Sequence, residues 1–78
     1  MIATILGIQK LDFEGQNGRV AGTNLFTAFS DENVQGYRVE RFFVRESISL
    51  PKDLKLNTEY DLTFDRKARI ERVEAVKN

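Results

Sequence analysis

The sequence predicts an all-β fold: a small antiparallel barrel of five strands, formed by one domain that spans residues 1–78. Clusters of Gly, Asn and Asp interrupt the chain at short intervals, as the tight turns of β-hairpins require. Between these clusters lie stretches rich in Ile, Val and Phe, and several of them alternate apolar with polar residues. A chain of 78 residues has room for one modest hydrophobic core, so a single domain is expected.

The first two predicted strands form a hairpin. Strand one covers residues 2–13, and its apolar residues fall on both faces, which predicts a largely buried strand. The turn at 15–18, with the sequence Gly-Gln-Asn-Gly, consists of residues that accept a positive φ. The second strand covers residues 19–30, and Gly22 within it predicts a bulge or a bend.

The third predicted strand covers residues 37–46 and follows a polar turn at 31–36. Its alternation separates Phe42 from Phe43, but the sequence leaves open which of them faces inward, because a shift of one residue exchanges the two faces. A connection at 47–57 holds the only proline. The residues expected to attach this connection to the core are Ile48, Leu50, Leu54 and Leu56.

The fourth strand has the clearest alternation in the chain. Tyr60, Leu62 and Phe64 face one way and acidic residues the other, which predicts a half-buried strand. The last segment, 69–77, allows two interpretations. Ile, Val and Val recur every three residues, as in a helix, but β-branched residues dominate and the fourth strand is available for pairing. We favour a strand with a bulge near Arg72, and the five strands together predict an OB-like barrel.

The sequence contains neither histidine nor cysteine. The usual ligands of zinc, haem, iron–sulfur and copper sites are therefore missing, and so is the commonest general base. The carboxylates of Asp61 and Asp65 are expected to be a solvated strand face. We therefore expect no enzyme activity, no metal, no cofactor and no small-molecule substrate. A core this small, without a disulfide or a metal, commonly gains stability by self-association, so a homodimer is expected.

No segment has the length and apolarity of a membrane span or the features of a signal peptide, which predicts a cytoplasmic protein without a membrane partner. Twelve Lys and Arg balance twelve Asp and Glu, a charge that argues against a dedicated duplex-DNA binder. The bases nevertheless concentrate at 37–45 and 66–72. A fold that brings these two segments together gives a neutral chain one basic face.

Aromatic and basic residues alternate along the third strand. Exposed aromatic side chains stack on the bases of single-stranded nucleic acid, and Lys or Arg contact its phosphates. One face of this strand carries Tyr37, Arg41, Phe43 and Arg45 and predicts such a surface, although each Phe taken alone is better explained as core. Tyr37 with Arg38 and Arg41 is the strongest surface candidate. The basic turn at 66–69 is a further phosphate candidate.

The order of these elements resembles the gene V family, the helix-destabilising single-stranded-DNA-binding proteins of filamentous phages and related mobile elements. The resemblance is greatest between Gly36 and Val76, above all at 54–64 (LKLNTEYDLTF). The runs at 22–26 and 40–44 are similar to small proteins encoded beside replication genes of phages and plasmids of Gram-positive bacteria.

The resemblance implies an OB-like barrel, a symmetric homodimer and sequence-independent coating of single-stranded DNA in the bacterial host cell. The residues implied to contact the DNA are Arg19, Tyr37, Arg38, Arg41 and Phe43, together with Lys67 and Arg69. The alternative is a protein-interaction module, such as a phage-encoded inhibitor or adaptor. The zero net charge favours this alternative, in which an exposed edge strand recruits the partner by strand addition.

Overall fold

In a computed structural model, which describes residues 1–76, the chain forms one five-stranded antiparallel sheet, and this range contains no helix. The strands are β1 (Ile2–Gly15), β2 (Gly18–Ser30), β3 (Tyr37–Arg45), β4 (Thr58–Phe64) and β5 (Ile70–Ala75). They lie in the order β3-β2-β1-β4-β5. The predicted all-β class and the five antiparallel strands are confirmed.

One face of the sheet encloses the core. Its buried side chains come from all five strands and are Ala3, Ile5, Leu25, Val44, Tyr60, Leu62, Ile70 and Val73. Phe42 of β3 packs against this cluster and against Phe64 of β4, with ring centroids 5.2 Å apart at an interplanar angle of 63°. Two strands that are not neighbours in the sheet therefore touch through the core, which requires a curled sheet.

The curled sheet does not close into a complete barrel. β3 and β5 are its two edge strands, and they approach each other without pairing. We call the line along which they approach, between residues 41–45 and residues 68–70, the seam. The fold is thus an OB-like sheet that remains open at the seam.

The connection from β3 to β4 is held by Tyr60. Its hydroxyl accepts a hydrogen bond from the backbone N–H of Lys55 at 2.9 Å and donates one to the carbonyl of Asp53 at 3.2 Å. Three of the four residues expected to attach the connection pack against the core, namely Ile48, Leu50 and Leu54. The prediction for Leu56 is wrong: it is 52% exposed, because the chain reverses at Asn57, whose φ is 58°.

The prediction that β1 is largely buried is also wrong. Ala3 and Ile5 are buried, but the pairing of β1 with β2 shifts by one residue between Ile5 and Gly7. This irregularity leaves Leu6 exposed, and Phe13 near the hairpin turn is exposed as well. Beyond the shift β1 pairs only with β2, so one half of this strand lies outside the core.

Gly22 does not form the expected bulge or bend. It pairs in regular register with Leu11 of β1 and with Arg45 of β3. The reason for a glycine here is close approach: a Cβ on Gly22 would lie 2.5 Å from Cζ of Phe43 and would also overlap the backbone oxygen of Val44.

The last segment is a strand, as favoured. Phe64 pairs with Ile70 and Thr63 pairs with Arg72, so Glu71 is an extra residue at the predicted bulge. The bulge explains why apolar residues three apart, at 70 and 73, both face the core. The predicted end of this strand at residue 77 lies outside the described residues.

Candidate nucleic-acid interface

The outer face of β3 carries exposed aromatic and apolar side chains. Strand alternation directs Phe42 and Val44 to the core and their neighbours to the opposite side. Tyr37 is 71% exposed, Val39 66% and Phe43 40%. The structure thus answers the question that the sequence leaves open: Phe42 faces inward and Phe43 outward.

The same face continues across β2 onto the second half of β1. Asn24 of β2 lies opposite Phe43 and donates a hydrogen bond to Gln9 of β1 at 3.1 Å, while Phe26, 38% exposed, lies opposite Arg41. We call this surface the aromatic face. Its side chains are those of Gln9, Leu11, Phe13, Val20, Asn24, Phe26, Ala28, Ser30, Tyr37, Val39, Arg41, Phe43 and Arg45, and none of them is acidic.

Two phenylalanine rings of the aromatic face lie against glycines. A Cβ on Gly22 would meet the ring of Phe43, and a Cβ on Gly7 would lie 3.3 Å from Cδ2 of Phe26. Each ring therefore rests on the backbone of a neighbouring strand and keeps an accessible surface. Such supported rings suit the stacking of planar groups, including nucleic-acid bases.

Arg41 is the uncompensated charge in the middle of the aromatic face. It is exposed and makes no ion pair with any described residue. Arg38 belongs to the opposite face of β3 and is paired with Asp31 at 3.2 Å and with Glu40 at 3.4 Å. A hydrogen bond from the Asn33 backbone and one from Arg38 hold the pKa of Asp31 below its usual range. Arg38 therefore does not join Arg41 in one site.

Arg19 also lies apart from the aromatic face. It is next to the β1–β2 turn on the other side of the hairpin, where its guanidinium donates to both oxygens of Asp12, at 2.8 and 3.1 Å, and to Glu46 at 3.4 Å. The hydrogen bond with Asp12 raises the pKa of Arg19 and lowers that of Asp12. Its positive charge is already neutralised within the protein.

The turn between β4 and β5 is organised by Asp65. Oδ1 of Asp65 accepts hydrogen bonds from the backbone N–H of Lys67 at 2.8 Å and of Arg69 at 3.0 Å, and Oδ2 accepts one from Nε of Arg69 at 3.1 Å. These bonds hold the pKa of Asp65 below its usual range. Lys67 is exposed on this turn.

The turn places Arg69 beside β3. A cavity of about 260 Å³ lies at the seam, and its lining residues are Arg41, Phe42, Phe43, Arg45, Ala68, Arg69 and Ile70. Of the seven residues predicted to contact DNA, the structure brings Arg41, Phe43 and Arg69 to one place. Tyr37 lies on the aromatic face with Arg41 and Phe43 but at the far end of β3, while Arg19, Arg38 and Lys67 lie elsewhere.

Sequence reasoning missed Phe26 as a member of this site, and it placed Arg45 on the same strand face as Arg41 and Phe43 without counting it among the DNA contacts. Strand alternation places Phe26 on the same face as Val20 and Ala28 of the second strand. Alternation does not show whether that face is the core or the surface. Arg45 shares the parity of Arg41 and Phe43, but its position at the seam depends on the curl of the sheet.

No known protein family, no curated protein and no solved structure matches this chain. Within residues 1–76, no group of three or more acidic side chains is arranged to hold a metal ion, and no helix is long and apolar enough to span a membrane.

The substitution Ala68→Gly is expected to stabilise the protein by up to about 1 kcal/mol. Ala68 has a φ of 60°, a conformation that costs a residue with a Cβ about 1–2 kcal/mol. Glycine avoids this cost. Its larger conformational entropy in the unfolded chain cancels only part of the resulting gain in stability. Thermal unfolding tests this. Ala75→Gly, in β5, is the matched control and should lower the melting temperature; a fall for both variants would contradict the prediction.

Protonation of Asp65 is expected to destabilise the fold in acid. The pKa of Asp65 is lower in the folded state than in the unfolded state, so its ionised carboxylate stabilises the fold. This contribution to the free energy of unfolding is fully present above the unfolded-state pKa of about 3.9 and is lost as the pH falls through the folded-state pKa. Urea unfolding between about pH 2 and pH 7 tests this. Asp65→Asn should be less stable than the wild type at pH 7 and should lose less stability on acidification.

The control for this pH series is Asp53→Asn, because the Asp53 carboxylate makes no hydrogen bond with a described residue. An acid profile of Asp65→Asn that runs parallel to the wild-type profile would show that Asp65 does not contribute.

Proposed function

We propose that this protein binds single-stranded DNA without sequence preference and does not catalyse a reaction. Bases stack on Phe26 and Phe43, with Tyr37 extending the platform, and Arg41, which has no ion pair with a described residue, contacts a phosphate. The observation that carries the proposal is the aromatic face itself: supported, accessible phenylalanine rings surround an unpaired arginine, and the face contains no carboxylate.

The chemistry of the face favours a single strand over a duplex. Stacking on aromatic side chains requires unpaired bases with accessible surfaces and contributes about 1–3 kcal/mol per base. In a duplex the bases are stacked on each other and are not available to the phenylalanine rings. A protein with no excess of positive charge gains little binding affinity from contacts with the phosphates alone.

The zero net charge is compatible with this proposal because the charges are segregated. The outer surface of β4 and β5 carries Glu59, Asp61 and Glu74, with Arg72 the one base among them, whereas the aromatic face carries only positive charge. A bound strand that follows Phe26, Arg41 and Phe43 therefore runs along the positive part of this surface, whereas Tyr37 lines a cavity together with Glu59 of β4.

The resemblance to the gene V family extends the proposal to its biological setting. On that basis the protein acts as a homodimer in the cytoplasm of a bacterial cell and coats single-stranded DNA during the replication of a phage or plasmid. The all-β fold with an open OB-like sheet is compatible with this role.

Fluorescence anisotropy of a labelled oligo-dT strand, titrated at two salt concentrations, tests the proposed function. We expect binding that weakens with salt, and each phosphate contact contributes about −0.7 to the slope of log affinity against log salt concentration. A duplex of equal length is the control, and oligo-U tests RNA. No binding at low salt, or equal binding of the duplex, would remove single-stranded DNA from consideration.

A protein-interaction module is the second candidate, favoured by the far end of β3. Tyr37 and Val39 are highly exposed there, on an edge strand and away from the arginines of the seam. A partner that adds a strand to this edge would be retained from nuclease-treated lysate and lost in the double variant Tyr37→Ala, Val39→Ala. Loss of all captured material on nuclease treatment favours DNA instead.

A further inference from the structure

The cavity at the seam is lined on two sides by positive charge. Arg41 and Arg45 come from β3, and Arg69 comes from the turn before β5. No lining residue is acidic. Arg69 is paired at 3.1 Å with the carboxylate of Asp65, which lies outside the lining. With a volume of about 260 Å³, against about 30 Å³ for a water molecule in the liquid, the cavity has room for a polyatomic anion.

Arg45 has unsatisfied hydrogen-bonding capacity and lines both this cavity and a second one, which Asp12 and Glu46 also line. Its Nε is buried and has no hydrogen-bond partner, and its guanidinium makes no ion pair with a described residue. The neighbouring acid, Glu46, is paired with Arg19 instead. A buried donor without an acceptor is rare in folded proteins and calls for an explanation, of which a bound anion is one.

We propose that the seam cavity binds one phosphate group of the nucleic acid, with Arg45 as its central ligand and Arg41 and Arg69 on either side. The proposal rests on the proposed function for the source of the phosphate. Guanidinium groups present their N–H donors in a planar fork that matches phosphate oxygens. Phe43 lines the same cavity, so the base next to the bound phosphate lies within reach of its ring.

Occupation of the cavity connects the two edges of the sheet. The phosphate bridges β3 and the β4–β5 turn, which approach each other without pairing. A ligand that binds only the folded state also raises its stability. Phosphate is therefore expected to raise the melting temperature more than the same ionic strength of sodium chloride does.

Amide NMR shifts during a titration with inorganic phosphate test the site directly. We expect saturable shifts confined to residues 41–45 and 68–70, and a phosphate affinity about tenfold or more lower in Arg45→Gln. Arg45→Lys retains the charge without Nε and should bind with intermediate affinity. Arg72→Gln, on β5 outside the cavity, is the matched control and should bind like the wild type.

Shifts spread over all basic residues, or an unchanged affinity in Arg45→Gln, would overturn the site. If Arg45→Gln loses the wild-type fold, its amide NMR spectrum will show this. The phosphate affinity of Arg45→Lys is then compared with that of the wild type instead.

Oligo-dT with and without a 5′-phosphate distinguishes the source of the phosphate. Tighter binding of the phosphorylated strand by the wild type, but not by Arg45→Gln, identifies a terminal phosphate; equal affinities that both fall in Arg45→Gln identify the backbone. Localised phosphate shifts without any oligo-dT binding would refute the proposed function and leave an anion site. Oligo-dT binding that Arg45→Gln does not weaken would refute the seam site and leave the proposed function intact.

Discussion

The double variant Arg41→Ala, Phe43→Ala is expected to bind oligo-dT about 10²–10⁴-fold more weakly than the wild type. Loss of one stacked base costs about 1–3 kcal/mol, and loss of a hydrogen bond between charged groups costs about 1.5–3 kcal/mol. At about 1.4 kcal/mol per factor of ten, the two losses together give this range. Both side chains lie on the aromatic face, and Arg41 has no other charge to neutralise it.

Single variants separate the two contributions. Arg41→Ala should make the salt dependence shallower by about 0.7 in the log–log slope, because one phosphate contact is lost. Phe43→Leu keeps an apolar side chain beside Gly22 but removes the stacking surface, so it should lower the affinity and leave the slope unchanged. Anisotropy titrations over a salt series provide both quantities.

Arg38→Ala is the matched control, since Arg38 is also an exposed arginine of β3. Its charge is neutralised by Asp31 and Glu40, so we expect a change in affinity well below that of Arg41→Ala. Equal losses in the Arg38 and Arg41 variants would mean that the aromatic face is not the binding surface.

Gly22→Ala is expected to destabilise the fold by about 1–3 kcal/mol. The new Cβ would overlap the backbone oxygen of Val44 as well as the ring of Phe43. A ring can rotate away, but the carbonyl belongs to β3, which pairs with β2 at this point, so relief requires a backbone shift. Urea unfolding measures the change, and thermal unfolding should show about 4–8 °C per kcal/mol.

Gly7→Ala provides the control on the same face. Its Cβ would meet only side-chain atoms, the closest being Cδ2 of Phe26 at 3.3 Å, so a small movement of the ring suffices. The lower entropy of the unfolded chain offsets this cost by about 0.4–1 kcal/mol, and we expect a change near zero. A loss of stability as large as that of Gly22→Ala would contradict the assignment of the cost to the backbone contact.

The parts of the fold that follow a regular period were predictable from the sequence. The alternation of Tyr60, Leu62 and Phe64 identified β4 and its inward face. Bulges and register shifts were harder to predict, because one extra residue moves every later side chain of the strand to the opposite face. The shift after Ile5 made β1 look buried on both faces, and the bulge at Glu71 gave β5 a spacing that also suits a helix.

The candidate site was predictable only in part, because its charges depend on pairing. In the sequence, Arg19, Arg38 and Arg41 are equivalent bases near turns or aromatic residues. In the structure, Asp12 neutralises Arg19 and Asp31 neutralises Arg38. Each acid lies seven residues before its arginine in the chain, and the fold of the hairpin brings the two side chains together. The proximity of Arg69 to β3 depends on the curl of the whole sheet, which no local pattern encodes.

Across the outer face of the sheet, the charged side chains change from Arg41 and Arg45 on β3 to Glu59 and Asp61 on β4, so this face of a neutral molecule has a local electric dipole. A dipole without net charge feels little attraction to a polyanion beyond the Debye length, about 8 Å at physiological ionic strength. At shorter range it feels a torque that turns its positive end to the phosphates. Encounters are therefore not accelerated from a distance, but those that occur are oriented, so the protein meets a strand with its aromatic rings foremost.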